Sequence, residues 1–361
     1  MKRKEVEERA IFVGLAGSHA YGLNHPKSDY DYRGVFIAPK EYYLGFNSIE
    51  QKDSGWNEEG IFPFIDGNED TVIYELKKVV QLLAAANPNV LELLWLDNYP
   101  FLTEVGEYLI EHRQLFLSKK VKHTYSGYAF AQIKKIETHR KWLLHPPENK
   151  PLPADFGILE DPLTKDELNA FLEYLYNLVR GRIEFLEEAE ELYQLLTADI
   201  DFKGMLKQHT LPDETLAYTQ KLTNSRADFI RLLQKSQKYQ GAMREWKAYL
   251  SWQQNRNPKR AEMEKQSGFD LKHGMHCIRL LRCGLEILRQ GKVIVNRQVA
   301  GDVDELKAIL QGAYTYEEVM KMAEDLIAQM DEAMQQSTLP HSPNLQKIDN
   351  LCIELVEMQG W

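Results

Sequence analysis

The sequence predicts an α+β protein in which a small strand-bearing head carries a large helical body. Three observations carry that expectation. Short β-rich runs punctuated by Gly, Asn and Pro occur in the first hundred residues. Helical periodicity dominates from residue 90 onward, and a proline-rich stretch interrupts the helices near residues 145–162. A chain of 361 residues, 43% hydrophobic and 27% charged, has ordinary globular composition and enough apolar material for one large domain or two to three smaller ones.

The elements follow in order. Residues 11–15 form a short apolar run that ends in Gly17-Ser18, which reads as a buried strand and a turn. Residues 30–37 are rich in β-formers and closed by Pro39, a second strand; residues 53–68, rich in Gly, Asp and Asn, read as a loop. Asp70-Thr71-Val72-Ile73-Tyr74 is a third strand, merging into a helix over 75–83 that stops at Asn87-Pro88-Asn89, a turn that shapes its surroundings. Residues 90–117, 121–144, 165–196, 213–247 and 260–290 all show helical spacing, and five prolines separate two of these helices at 145–162. The acidic outer positions of 184–196 read as a solvated face.

Charge excludes one class of function. The formal net charge is −10, which argues against a protein that coats duplex nucleic acid. Two segments depart from the average: residues 119–141 and 256–297 each carry net +6, leaving −22 for the rest. Cys277, Cys283 and Cys352 are odd in number and lack metal-ligand spacing, which argues against a disulfide framework and a structural zinc site. With neither a signal-type apolar run nor a membrane-length one, the sequence is expected to be cytoplasmic.

The chemistry concentrates in residues 17–34. Asp29 and Asp31 are two apart in a strand-like run, so their carboxylates leave one face and repel unless a cation lies between them. One or two Mg²⁺ ions, which favour carboxylates together with phosphate oxygens, are the usual solution. Upstream, Gly17-Ser18 falls where a strand turns into a helix near His19, a place where backbone can approach an anion closely. A phosphate site and a metal site within one unit is the arrangement for moving a phosphoryl or nucleotidyl group.

Strand, Gly-Ser, helix, then Asp-x-Asp on the next strand resembles the signature of the DNA polymerase β-like nucleotidyltransferase superfamily. The segments Asp29-Tyr30-Asp31-Tyr32-Arg33-Gly34-Val35-Phe36, Asn87-Pro88-Asn89-Val90-Leu91-Glu92-Leu93-Leu94 and Lys272-His273-Gly274-Met275-His276-Cys277-Ile278-Arg279-Leu280-Leu281 look like its YcgL or RlaP branch, the RNA-ligase-associated proteins. The resemblance implies a small mixed-sheet catalytic domain over 1–117 and a helical domain over 118–361 that contributes to nucleotide and acceptor binding. It also implies a third carboxylate on a later strand, for which Asp70 is the choice and Glu75 the reserve. The expected donor is a nucleoside triphosphate, ATP first, with Mg²⁺ or Mn²⁺ held by Asp29, Asp31 and Asp70. Gly17, Ser18, Lys272, His276 and Arg279 are expected to bind the nucleotide, the last three sharing one helical face at i, i+4 and i+7. The expected acceptor is an RNA or tRNA 3′ end, with a functional association with an RNA ligase and no membrane.

Two further readings accompany this one: AMP transfer to a protein Tyr, Ser or Thr, and a non-catalytic module that senses nucleotide or RNA. Tyr125, Tyr128, Gln132, Lys135 and His139 form a helical stripe suited either to base stacking or to a helix–helix contact. The tryptophans Trp56, Trp142 and Trp361 carry no reading beyond packing.

Overall fold

The apolar run near residue 11 forms strand β1 (Ala10–Ala16), which lies inside a five-stranded sheet because both of its faces are covered. The computed structural model describes residues 1–53, 60–65, 70–159, 162–183, 226–256 and 258–360. In chain order the head contains α1 (Arg3–Glu8), β1, α2 (Gly17–Tyr21), β2 (Asp31–Phe36), α3 (Lys40–Leu44), β3 (Gln51–Asp53), β4 (Asp70–Glu75), α4 (Leu76–Ala84), α5 (Pro88–Leu91), β5 (Phe101–Leu102) and α6 (Glu104–Glu111). The strand order is β3-β4-β2-β1-β5; β2 and β4 run parallel and the other neighbours antiparallel, so the sheet is mixed. All further described elements are helical: α7 (Val121–Leu144), α8 (Lys165–Ile183), α9 (Ala227–Asn255), α10 (Pro258–Ser267), α11 (Leu271–Gln290), α12 (Arg297–Ala300), α13 (Val303–Leu310), α14 (Tyr316–Gln336) and α15 (Leu345–Gln359), with short 3₁₀ turns between some of them.

The sheet separates two cores. Val13, Tyr32, Phe36 and Ile73 face a small cluster with Val6, Phe62 and Ile65. Phe12 and Val35 face the large cluster, built with α4, α7, α11 and α14. A register irregularity between Ala10 and Phe12 in β1 lets the neighbours Ile11 and Phe12 both face that large core. Helix α11 is its centre, with Ile278, Leu281 and Ile287 all fully buried.

Two sequence expectations differ from this arrangement. The apolar stretch 90–117 is not one helix: it breaks into α5, a 3₁₀ turn at Glu92–Trp95, β5, α6 and a second 3₁₀ turn, because Pro100 and the pairing of Phe101–Leu102 with β1 divide it. The stretch 260–290 breaks at Gly268, whose φ of +75° leaves the helix, and restarts where the Asp270 carboxylate caps α11 through the His273 amide.

The chain forms two compact units. One comprises Met1–Leu144 with Lys259–Trp361; the other is His145–Pro258. In the second, Phe171 meets Phe229 edge-on at 5.3 Å, and Lys235 donates to the Gly157 carbonyl at 2.8 Å. The acidic face at 184–196, Trp56 and Trp361 lie outside the described residues. Among the described residues no helix is long and apolar enough to cross a membrane.

Candidate active site

Strand pairing assembles the carboxylates. The parallel β2–β4 register sets Asp31 directly opposite Asp70, followed by Arg33 opposite Val72 and Val35 opposite Tyr74. Side chains alternate along a strand, so Asp31, Arg33 and Asp70 leave the same face of the sheet as Val35, which belongs to the large core. Asp29 precedes the strand and is exposed, whereas Asp31 is half-buried.

Gly17 explains how Asp31 is accommodated. It begins α2 at φ +62°, and a Cβ placed on it would lie 1.8 Å from the Asp31 Oδ2 atom. A side chain at position 17 would therefore fail both sterically and conformationally. Ser18 follows in the same turn, its carbonyl accepting from the Leu23 amide at 2.9 Å.

The electrostatics of this corner are tense. Burial raises the Asp31 carboxyl above the ordinary aspartate value; Arg33 pulls it back, Asp70 pushes it up again, Lys272 lowers it and Asp29 raises it. Asp29, Asp70, Arg33 and the exposed Lys272 of α11 thus all act on Asp31 at this corner. Arg33 is the residue sequence reasoning missed: its guanidinium contacts the Asp70 carboxylate at 2.8 Å and the Asp70 carbonyl at 2.5 Å. Its position two residues beyond Asp31, on the same strand face, was the signal available. Glu75 lies at the other end of β4, opposite Phe36, where it caps α4 through the Lys77 and Lys78 amides and accepts from Tyr43. It is a structural cap and no part of this corner.

The Lys272, His276 and Arg279 row runs from solvent into the core. Lys272 is exposed, His276 half-buried and Arg279 only 3% exposed. Arg279 is therefore no exposed phosphate ligand: it pairs with the equally buried Glu92 at 2.6 Å and lies 3.8 Å above the Tyr21 ring. Tyr21 donates to the other Glu92 oxygen at 2.8 Å, and burial raises its hydroxyl pKa far above the usual value. The three do share one face of α11, but α2 and the turn at Glu92–Trp95 cover its far end. Because α2 begins with Gly17-Ser18, Arg279 holds the element that carries the motif.

The base-stacking possibility on α7 is corrected in the same way. Tyr125 is fully buried, and the Tyr128 hydroxyl accepts from the Asn87 amide at 2.7 Å. Asn87 also caps α5 through the Asn89 and Val90 amides, so Asn87-Pro88-Asn89 both ends one helix and starts another. Burial pushes the thiols of Cys277 and Cys283 up to about 12 and that of Cys352 up to about 11, so none is poised as a nucleophile.

Residues 1–180 match the model of a family described as RlaP, RNA repair pathway DNA polymerase beta family. An uncharacterised 38.9 kDa protein of Enterobacteria phage T4, encoded in the nrdC-mobD intergenic region, is 28% identical over 131 residues, 35% of this chain and 38% of its own length. The uncharacterised protein YcgL of Bacillus subtilis is 33% identical over 90 residues, 25% of this chain and 31% of its own. The chain thus spans about a third of the length of these relatives. No solved structure matches.

Proposed function

Over its first 180 residues this chain belongs to the RlaP family of the RNA repair pathway, and from that premise we propose a metal-dependent nucleotidyltransferase that moves a nucleoside monophosphate from a triphosphate, ATP first, onto a hydroxyl at an RNA or tRNA 3′ end. The observation that carries the reading is the in-register placement of Asp31 against Asp70 beside a glycine that Asp31 itself requires. The donor set fits a hard divalent ion: burial, Asp70 and Asp29 all raise the proton affinity of the Asp31 carboxylate, a cost that a neighbouring cation relieves. Mg²⁺ or Mn²⁺ held by Asp29, Asp31 and Asp70 would supply the positive charge that triphosphate oxygens and a departing pyrophosphate demand.

The chain's own groups would do the rest. Gly17 allows phosphate to approach the backbone, with Ser18 offering a hydroxyl beside it. Lys272 adds a cation from α11, and His276 lies one turn farther along. Arg33 holds Asp70 in place and limits the repulsion between Asp70 and Asp31. Arg279 acts as a positioning residue through Tyr21. Catalysis of this kind rests on placement and electrostatics. The family's description, which names the RNA repair pathway, supports an RNA acceptor in preference to a protein one.

The test incubates full-length protein with Mg²⁺, each α-labelled nucleoside triphosphate, and either RNA bearing a free 3′ hydroxyl or a protein extract. Label in RNA is expected, falling about a hundredfold or more in Asp31→Asn. Label in protein would replace the acceptor with a Tyr, Ser or Thr hydroxyl. Nucleotide binding without any transfer would reduce the head to a sensor and overturn the reading.

A further inference from the structure

A second group of ligating side chains lies away from the carboxylate corner. His139, near the end of α7, meets Asp270 and His273 at the start of α11, and one ligand atom from each lies within 4.8 Å of the others. Asp270 is 2% exposed, and both imidazoles are largely shielded.

The separations are informative. The Asp270 Oδ2 atom lies 3.4 Å from the His273 Nε2 and 3.7 Å from the His139 Nδ1. A charge-assisted hydrogen bond would close such a pair to about 2.7–2.9 Å. Ligands held about 2.0–2.1 Å from a tetrahedral ion are instead about 3.4 Å from one another. These spacings match the edges of such a tetrahedron.

The neighbouring hydrogen bond points the same way. The Gln132 side-chain oxygen lies 2.7 Å from the His273 Nδ1 atom, so Nδ1 carries the proton and donates it. The second ring nitrogen, Nε2, then turns toward the Asp270 carboxylate at 3.4 Å, where the lone pair of a neutral imidazole and the carboxylate oxygen can share one cation. An amide oxygen that orients the far nitrogen of a metal-ligating imidazole is the usual support for such a site. The Asp270 carboxylate meanwhile caps α11 through its other oxygen, accepting from the His273 amide at 3.1 Å, which fixes its orientation.

We propose that His139, Asp270 and His273 form a binding site for a first-row divalent cation, zinc by its geometry, with a fourth position left for water. Two imidazoles and one carboxylate suit zinc and disfavour magnesium, which takes oxygen ligands in an octahedral array. The site shares no residue with the Asp29, Asp31 and Asp70 corner, so it stands whether or not nucleotidyl transfer is found. Local spacing could not reveal it, because α7 and α11 are far apart in the chain and the cysteines take no part. A bound ion would tie α7 to the first turn of α11, where Lys272 immediately precedes His273.

Full-length protein stripped of metal and titrated with Co²⁺ tests this directly. A tetrahedral Co²⁺ visible band is expected to saturate near about one equivalent, to be bleached by Zn²⁺, and to ignore excess Mg²⁺. Asp270→Asn, which retains a capping side chain, and His273→Gln should lose the band, with circular dichroism confirming the fold. Gln132→Leu should weaken Co²⁺ binding about 10–100-fold, and Asp31→Asn should leave it unchanged. A wild-type protein that gives no tetrahedral band would overturn the proposal. So would a band that survives in both the Asp270→Asn and His273→Gln proteins.

Discussion

Asp31 shows what a half-buried carboxylate costs the fold. Its proton affinity is higher in the folded chain than in an unfolded one, through burial first and then Asp70 and Asp29. The folded state therefore holds this proton more tightly, and stability falls as pH rises from the ordinary aspartate range through the raised folded value. Above both values the full penalty remains. Metal-free Asp31→Asn should thus melt at a higher temperature than the natural protein at pH 7, and the gain should vanish in acid, where Asp31 is protonated in both states. Mg²⁺ should raise the midpoint of the natural protein and raise that of Asp31→Asn less; differential scanning calorimetry with and without Mg²⁺ checks both outcomes.

At the scale of elements, two glycines on packed helices have opposite expected outcomes. Gly284 in α11 sits against Tyr125 of α7: an added Cβ would lie 2.9 Å from the Tyr125 Cβ and 2.6 Å from the Met330 Cε. The methionine end can swing aside, but the tyrosine stem cannot, so Gly284→Ala should cost about 1–3 kcal/mol. Gly127 in α7 is exposed, with nothing within 4 Å of its virtual Cβ, so Gly127→Ala should stabilise the helix by about 0.5–1 kcal/mol. Urea unfolding of the two variants measures both. Elements were legible where pattern and context agree: β1, β2, β4 and the whole of α7 follow directly from strand-type or helical periodicity. Legibility failed where a long-range partner decides. Phe101 and Leu102 become a strand only because β1 offers an edge, and Arg279 leaves the exposed face only because Glu92 and Tyr21 cover it. Gly17, Ser18, Asp29 and Asp31 are neighbours in the chain, whereas the placement of Asp70 opposite Asp31, the Arg33 clamp and the His139–Asp270–His273 cluster depend on register and helix docking.

For the molecule as a whole, the two basic segments mean less than their net charge implies. Lys122 pairs with Asp331, Arg140 with Glu317, Arg282 with Asp302 and Glu305, and Arg297 with Glu286 and Asp302. These cations are taken up by acids within the fold, whereas Lys134, Lys135, Lys265, Lys272, Arg289 and Lys292 are exposed, Lys272 near the carboxylates. The Glu92–Arg279 pair joins the head to α11 across the large core. Arg279→Ala leaves Glu92 buried and unpaired and should cost about 3–5 kcal/mol, whereas Glu92→Leu combined with Arg279→Met should cost clearly less. Chemical denaturation of the single and double variants measures the difference. The chain order of that core has a consequence for biosynthesis. Residues 1–144 leave the ribosome first, yet the helix that fills their interior, α11, begins only at Leu271. At roughly 5–20 residues per second, the nascent head waits on the order of 10 s with Phe116 and Tyr125 uncovered. Its folding is therefore delayed until α11 emerges, governed by contacts of high sequence separation, and a chaperone that shields the early segment should raise the yield of native protein.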